Sequence, residues 1–164
     1  MTSSAASPAS SASPASSASS TPSPAPPQTH SCVLPLRWSD QDLNGHVNNA
    51  RIVTLMEEAR VQWLNRDAAA DGVPGFSDPK VVASLNVEYL HPVEYGQELV
   101  MDLWISRIGS RSFTIAYRAV QDSTDCFTAS TVLVPLDPAG RTSRALAPSE
   151  RDYLARYHFP ADAP

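Results

Sequence analysis

Residues 38–49 read Trp38-Ser39-Asp40-Gln41-Asp42-Leu43-Asn44-Gly45-His46-Val47-Asn48-Asn49, and they lead directly into an apolar-striped run that ends near Arg66. Carboxylates, carboxamides and an imidazole crowd beside one glycine at a helix start. Such side chains compete for the same backbone groups, so a loop this rich in them is where chemistry is expected. Asn48 or Asn49 can cap the helix, because a short carboxamide accepts from the unpaired amides of the first turn. Behind it Ile52, Met56, Ala59 and Trp63 recur at steps of four, three and four, with Leu55 alongside. That is one apolar stripe at helical period, and it predicts a helix over residues 50–66 buried along one face.

Upstream, Val33-Leu34-Pro35-Leu36-Arg37-Trp38 reads as a first strand whose proline marks an edge or a strand start. Residues 1–30 are almost wholly Ser, Ala, Pro and Thr with no charge and no aromatic, a composition that buries too little apolar surface to offset ordering, so they read as a disordered tail before a domain over 31–164. Downstream, the Gly, Pro and Asp of 68–79 predict a loop. Val81, Ala83, Leu85, Val87 and Tyr89 then alternate with more polar neighbours, the period of a strand with one buried face. Leu99, Met101, Leu103 and Ile105 alternate likewise, Gly109-Ser110-Arg111 turns the chain into Phe113, Ile115 and Tyr117, and a reversal at 122–125 leads to a last strand over 127–136. Residues 148–157 read as a short closing helix. One strand, one long helix and four strands joined mostly by short turns make an α+β fold, with the late strands antiparallel neighbours. One helix cannot cover two faces and two edges, so pairing of subunits is expected.

The chain of 164 residues is about one domain long. A net charge of -5 and a pI near 5.2 speak against nucleic acid as partner, which would require clustered Lys and Arg. No run of about 18 apolar residues is present and the N-terminus lacks the basic and apolar regions of a signal peptide, so neither a membrane span nor secretion is expected, and the cytoplasm is. Cys32 and Cys126 have no metal-ligand or redox spacing and read as small hydrophobes, and no metal cluster is visible.

The segment Asp42-Leu43-Asn44-Gly45-His46-Val47-Asn48-Asn49-Ala50-Arg51, followed by Glu57-Glu58-Ala59-Arg60, resembles the hotdog-fold thioesterases. The likeness is strongest to acyl-CoA thioesterases of the 4-hydroxybenzoyl-CoA thioesterase type and the long-chain acyl-CoA subgroup. Tyr89-Leu90-His91-Pro92-Val93, Tyr95-Gly96, Trp104 and Ile108-Gly109-Ser110-Arg111-Ser112-Phe113 agree in order and spacing, so the resemblance covers about residues 33–137. It implies a five-stranded antiparallel sheet wrapped around one long central helix, homodimers or homotetramers with sites at subunit interfaces, and hydrolysis of acyl-CoA or acyl-ACP to free acid and thiol. Coenzyme A enters as part of the substrate; no cofactor is expected.

By the resemblance Asp42 is the carboxylate that acts as general base or nucleophile, where the competing reading is an Asx turn. Asp40, two residues earlier, is read as a solvated loop residue and Gln41 as a bystander. Asn44 would orient water or substrate, and His46 would contact the carbonyl or assist proton transfer. The amides of Val47, Asn48 and Asn49 lie near the helix start, where free N–H groups and the positive dipole end can stabilise an oxyanion, and Gly45 would let the backbone approach closely. Glu57 and Glu58 fall off the apolar stripe and read as solvated, although some hotdog thioesterases take their carboxylate from this helix, which keeps Glu58 as a substrate-site candidate. Arg111, with Ser110 and Ser112, would contact coenzyme A phosphates or be an exposed turn. A hydratase or dehydratase of this fold would carry D-x-N-P-x-H, and here His46 comes one residue too early without the proline. A non-catalytic acyl-CoA-binding module would not need Asp42.

Overall fold

A computed structural model describes residues 28–160. The expected tail over residues 1–30 lies, for 1–27, outside the described residues. The first strand, β1 (His30–Leu34), begins earlier than the sequence suggests and stops before Pro35, which has no N–H to give to a ladder. Trp38–Asp40 form a single 3-10 turn. The helix then runs without interruption through α1 (Asn49–Val61), a π-helical stretch (Gln62–Asp67) and α2 (Ala68–Ala70). It outlasts the expected end at Arg66. Asn48 caps it, its Oδ1 accepting from the Ala50 N–H over 2.9 Å.

The buried stripe is the expected one, Ile52, Leu55, Met56, Ala59 and Trp63, with Leu64 and Ala68 added. At 100° per residue Ala68 would lie about 160° round from Ile52, on the solvent side. The wider π turn, in which the Ala68 N–H reaches back to the Trp63 carbonyl, returns Ala68 to the core.

The strands β2 (Lys80–Tyr89), β3 (Leu99–Ile108), β4 (Phe113–Gln121) and β5 (Thr124–Pro135) complete one antiparallel sheet in the order β1-β3-β4-β5-β2. This is the five-stranded sheet and single long helix expected of the fold. Leu99, Met101, Leu103 and Ile105 of β3 face the helix and are fully buried. Asp122 and Ser123, both at positive φ, make the two-residue turn between β4 and β5. The closing helix α3 (Pro148–Arg156) docks through Tyr153, whose hydroxyl accepts from Trp63 Nε1 over 3.1 Å.

The second strand departs from its predicted form. Ala83 bulges out of the β2–β5 ladder, which places Val82, Leu85, Val87 and Tyr89 opposite Leu133, Thr131, Ala129 and Phe127. The helix-facing set is therefore out of phase before the bulge. Nor is one face buried: Val81, Val82, Leu85 and Tyr89 are 36–45% exposed along an edge that is unpaired among the described residues.

Candidate active site

The motif loop is closed by its own backbone. Asp42 N–H donates to the His46 carbonyl over 2.9 Å, and Gly45 N–H donates to the Asp42 carbonyl over 3.1 Å. Gly45 sits at φ +79°, where any other L-residue is strained, yet a Cβ there would meet nothing within 4 Å. The glycine serves the turn's handedness, and no protein atom crowds the face on which a Cβ would sit. Val47 N–H then donates to the Val93 carbonyl and Asn48 N–H to the Asp40 carbonyl, both over 2.8 Å, which ties the loop to the segment after β2 and to its own start.

Asp40 is not the solvated residue the sequence suggests. It is only 9% exposed, its Oδ2 accepts from the Arg37 N–H over 2.8 Å, and Arg51 Nε lies 3.9 Å from Oδ1. Its side chain and carbonyl together hold the two ends of the loop. The signal for this was the Asp three residues after Arg37, a spacing at which a short carboxylate turns back onto the backbone.

Asp42 is half-buried, and the Asx turn is real: Oδ1 accepts from the Asn44 N–H over 2.8 Å. Oδ2 makes no hydrogen bond among the described residues. One oxygen is therefore fixed and the other is presented. Asp42, Asn44, His46 and Asn49 line a cleft of about 320 Å³ with Ile52 of the helix, so the structure brings these predicted residues together. The opposite wall is Tyr89, Leu90, His91 and Pro92.

Within this wall His91 is a residue to which the sequence assigns no role. Its Nδ1 lies 2.8 Å from the Asp125 carbonyl, which can only accept, so Nδ1–H donates to it and fixes the ring's orientation. The backbone N–H groups of Leu90 and His91 both donate to the Cys126 carbonyl, at 2.9 and 3.0 Å, which bolts the residue to the start of β5. A histidine before proline at a strand end is the only sign of it in the sequence.

The expected oxyanion donors shrink to one. Val47 and Asn48 have already committed their N–H groups inside the fold, and a committed donor cannot be aimed at a substrate. The Asn49 N–H has no partner among the described residues and stands at the first turn of α1, the positive end of the helix.

Glu58 is exposed on α1 and does not line the cleft; Glu57 is exposed as well and pairs with Arg60 at 2.7 Å. Ser110, Arg111 and Ser112 lie at the β3–β4 turn, while the cleft borders the other end of these strands, about 30 Å away by the rise of a ten-residue strand. Arg111 Nη1 donates to the Ser143 carbonyl over 2.8 Å, Leu146 N–H donates to the Ser110 carbonyl over 3.0 Å, and Arg151 Nη1 donates to the Gly109 carbonyl over 2.7 Å. Within one chain this turn is clamped to the C-terminal segment and is not brought to Asp42. No group of three or more metal-ligating side chains occurs among the described residues. Cys32 and Cys126 are buried free thiols, and burial, then Asp102 and Asp67, push Cys32 up to about 11.

Residues 36–160, which include the loop and both cleft walls, match the family model of the thioesterase-like superfamily. The chain is 27% identical over 124 residues to the uncharacterized protein YsmA of Bacillus subtilis (strain 168), spanning 73% of this chain and 80% of that protein. The solved PA2801 protein of Pseudomonas aeruginosa superposes with a TM-score of 0.67 at 29% identity, over 77% of this chain and 98% of that one. A thioesterase from Thermus thermophilus, solved with coenzyme A and Zn, superposes with a TM-score of 0.65 at 26% identity, over 77% and 92%.

Proposed function

Because the chain belongs to the thioesterase-like superfamily, we propose that it hydrolyses an acyl thioester of coenzyme A to the free acid and thiol, with Asp42 as the base that activates water. The observation that carries this is the divided use of the Asp42 carboxylate, one oxygen held by Asn44 N–H at 2.8 Å and the other free of hydrogen bonds among the described residues, on a side chain that lines the cleft. Oδ2 takes a proton from water, and the hydroxide adds to the thioester carbon. The negative oxygen that forms is stabilised by the Asn49 N–H and the helix end, a type of contact worth on the order of a hundredfold in rate. The adduct expels the thiolate, and Asp42 returns the proton to sulfur. Asn44 and His46 orient the water and the carbonyl. Glu58, Ser110, Arg111 and Ser112 take part only if a second subunit supplies them.

Coenzyme A is chosen over an acyl carrier protein because the Thermus thioesterase was solved with coenzyme A. The unpaired β2 edge, with Val81, Val82, Leu85 and Tyr89 exposed, supports assembly of the chain as a homo-oligomer through that strand. Two buried, unbridged thiols fit a reducing compartment, the cytoplasm.

The test is release of free thiol across a panel of acyl-CoA and acyl-ACP substrates. Hydrolysis of acyl-CoA that is lost in Asp42→Asn is the expected result. Water addition to a 2-enoyl-CoA without thiol release, or tight acyl-CoA binding without turnover, overturns the reading.

A further inference from the structure

The motif loop holds two large apolar side chains out in water. Trp38 is 74% exposed and Leu43 107%, the two most exposed large hydrophobic residues among those described. Neither belongs to a loose segment. Trp38 starts the 3-10 turn, and its carbonyl accepts from the Gln41 N–H over 3.3 Å and from Gln41 Nε2 over 3.2 Å. Leu43 lies inside the turn that the Asn44 N–H closes on Asp42 Oδ1. Apolar surface held rigidly in water is unfavourable until something covers it, and such surface rimmed by polar groups marks a contact site.

Both side chains wall one open hollow of about 1060 Å³, the size of a small-molecule site, together with Asp42, Asn44 and Gly45. Asp42 and Asn44 also wall the cleft of about 320 Å³ that holds His46, Asn49 and His91. The two hollows therefore meet along the Asp42–Asn44 turn, at the reactive carboxylate. Whatever covers Trp38 and Leu43 lies against Asp42, where a substrate has reason to be.

A thioester branches in the same way. Two arms leave its carbonyl carbon in different directions: the apolar acyl chain and, through sulfur, the pantetheine arm of coenzyme A, whose amides need partners wherever they lose water. The two hollows differ in the same sense. The cleft offers the polar groups of His46, Asn49, Tyr89 and His91, and of its aliphatic residues Val47, Ile52 and Val93 are buried while Leu90 is exposed. In the other hollow the exposed large side chains are the indole of Trp38 and the isobutyl group of Leu43.

We propose that Trp38 and Leu43 form the acyl-binding surface of the site, so that the apolar chain of the thioester lies across them while its carbonyl stands at Asp42 and the pantetheine arm occupies the cleft beside His91. This rests on the hydrolase reading above and names the residues that set its chain-length preference. The substrate class is a thioester with an unsubstituted apolar chain of several carbons, because each methylene that settles on the two side chains leaves water and adds to binding of the transition state.

The experiment measures kcat/KM of the full chain for acetyl-, butanoyl- and hexanoyl-CoA. It also follows acrylamide quenching of tryptophan emission with S-hexyl-coenzyme A, a thioether that has no bond to hydrolyse. In the wild type kcat/KM is expected to be about tenfold higher for hexanoyl-CoA than for acetyl-CoA, since four more methylenes are partly covered. Leu43→Ser and Trp38→Ala are each expected to lower that ratio by about threefold. Leu43 is wholly exposed, so its replacement does not threaten the fold. S-hexyl-coenzyme A is expected to shield the emission from acrylamide and coenzyme A alone is not, with the shielding lost in Trp38→Ala, because Trp63 is buried and Trp104 half-buried. A ratio unchanged in both variants, or equal quenching with and without the thioether, sinks the acyl surface and leaves the hydrolase reading to stand on thiol release. Emission already shielded in the free protein, and released on dilution, gives the surface to a second copy of the chain and also overturns the proposal. Absence of thiol release with a shielding that Leu43→Ser weakens upholds the surface and removes the hydrolase reading instead.

Discussion

The backbone N–H of Asn44 donates to Asp42 Oδ1 over 2.8 Å, so the loop aims the carboxylate from within its own turn and leaves Oδ2 for chemistry. Asp42→Asn keeps an oxygen for the Asn44 N–H but has no base. Its thermal stability should match the wild type while kcat falls by roughly a hundredfold or more, the usual worth of a general base. Thiol release measured with a chromogenic thiol reagent decides this, and turnover near the wild-type level in a folded variant removes Asp42 from the reaction.

Asp40 performs a different task two residues away. Its carboxylate accepts from the Arg37 N–H over 2.8 Å in a nearly buried position, so Asp40→Ala should lower stability by about 2 kcal/mol, read by urea denaturation. Turnover should drop too, since Asn48 and the helix start are tied to the same residue. A variant as stable as the wild type would show that the loop holds without this anchor.

Glu150 is 1% exposed and meets Arg144 in two hydrogen bonds of 2.7 Å. Burial pushes its carboxyl up, but Arg144 and the Ala147 N–H outweigh it and hold the pKa below the ordinary value of 4.5. A depressed carboxyl stabilises the fold above that ordinary value, and the stability is lost as pH falls through the folded one. Glu150→Gln should therefore cost about 2 kcal/mol at neutral pH, because it removes the buried carboxylate that Arg144 holds through two hydrogen bonds and leaves the guanidinium only the more exposed Asp78 at 3.2 Å. The gap from the wild type should close in strong acid, and a gap that is constant with pH would contradict the assignment.

His30 stacks on Trp63 with ring centroids 5.4 Å apart and planes 7° from parallel. Burial lowers its pKa from the ordinary 6.5, despite the opposing pull of Asp67. The neutral ring is the folded form, so the associated stability is present above 6.5 and is lost as pH falls through the lowered value. Tm should decline on acidification from neutrality, and His30→Phe should flatten that part of the profile. An unchanged profile in His30→Phe would place the titration elsewhere.

The elements that repeat a period were readable in the sequence. The stripe of Ile52, Met56, Ala59 and Trp63, and the alternation of β3 and β4, follow from which side chains one face can bury, and a single chain states that directly. Local insertions of one residue were not readable. The bulge at Ala83 and the π turn at 62–67 each answer to a distant partner, β5 in one case and the core beneath Ala68 in the other. The site divided in the same way. Asp42, Asn44 and His46 lie within one turn and could be found by spacing, whereas Tyr89 and His91 reach the cleft only because the Val47 N–H joins the Val93 carbonyl across the fold. Arg60 is buried although charged, and the core groups it adjoins, Tyr117 among them, are far away in sequence.

The π turn also governs where this chain tolerates a change of length. Removing one residue within 62–67 would convert the wide turn to an ordinary one and leave Ala68 fifteen residues from Ile52, about 60° round and still on the buried side, with the cleft in register. The same deletion within 50–61 would swing every downstream contact by about 100°, drawing Arg60 from its buried position and Trp63 from His30 and Tyr153. The helix thus behaves as two lengths joined at a coupling, and homologous chains that gain or lose a residue here should do so at the coupling.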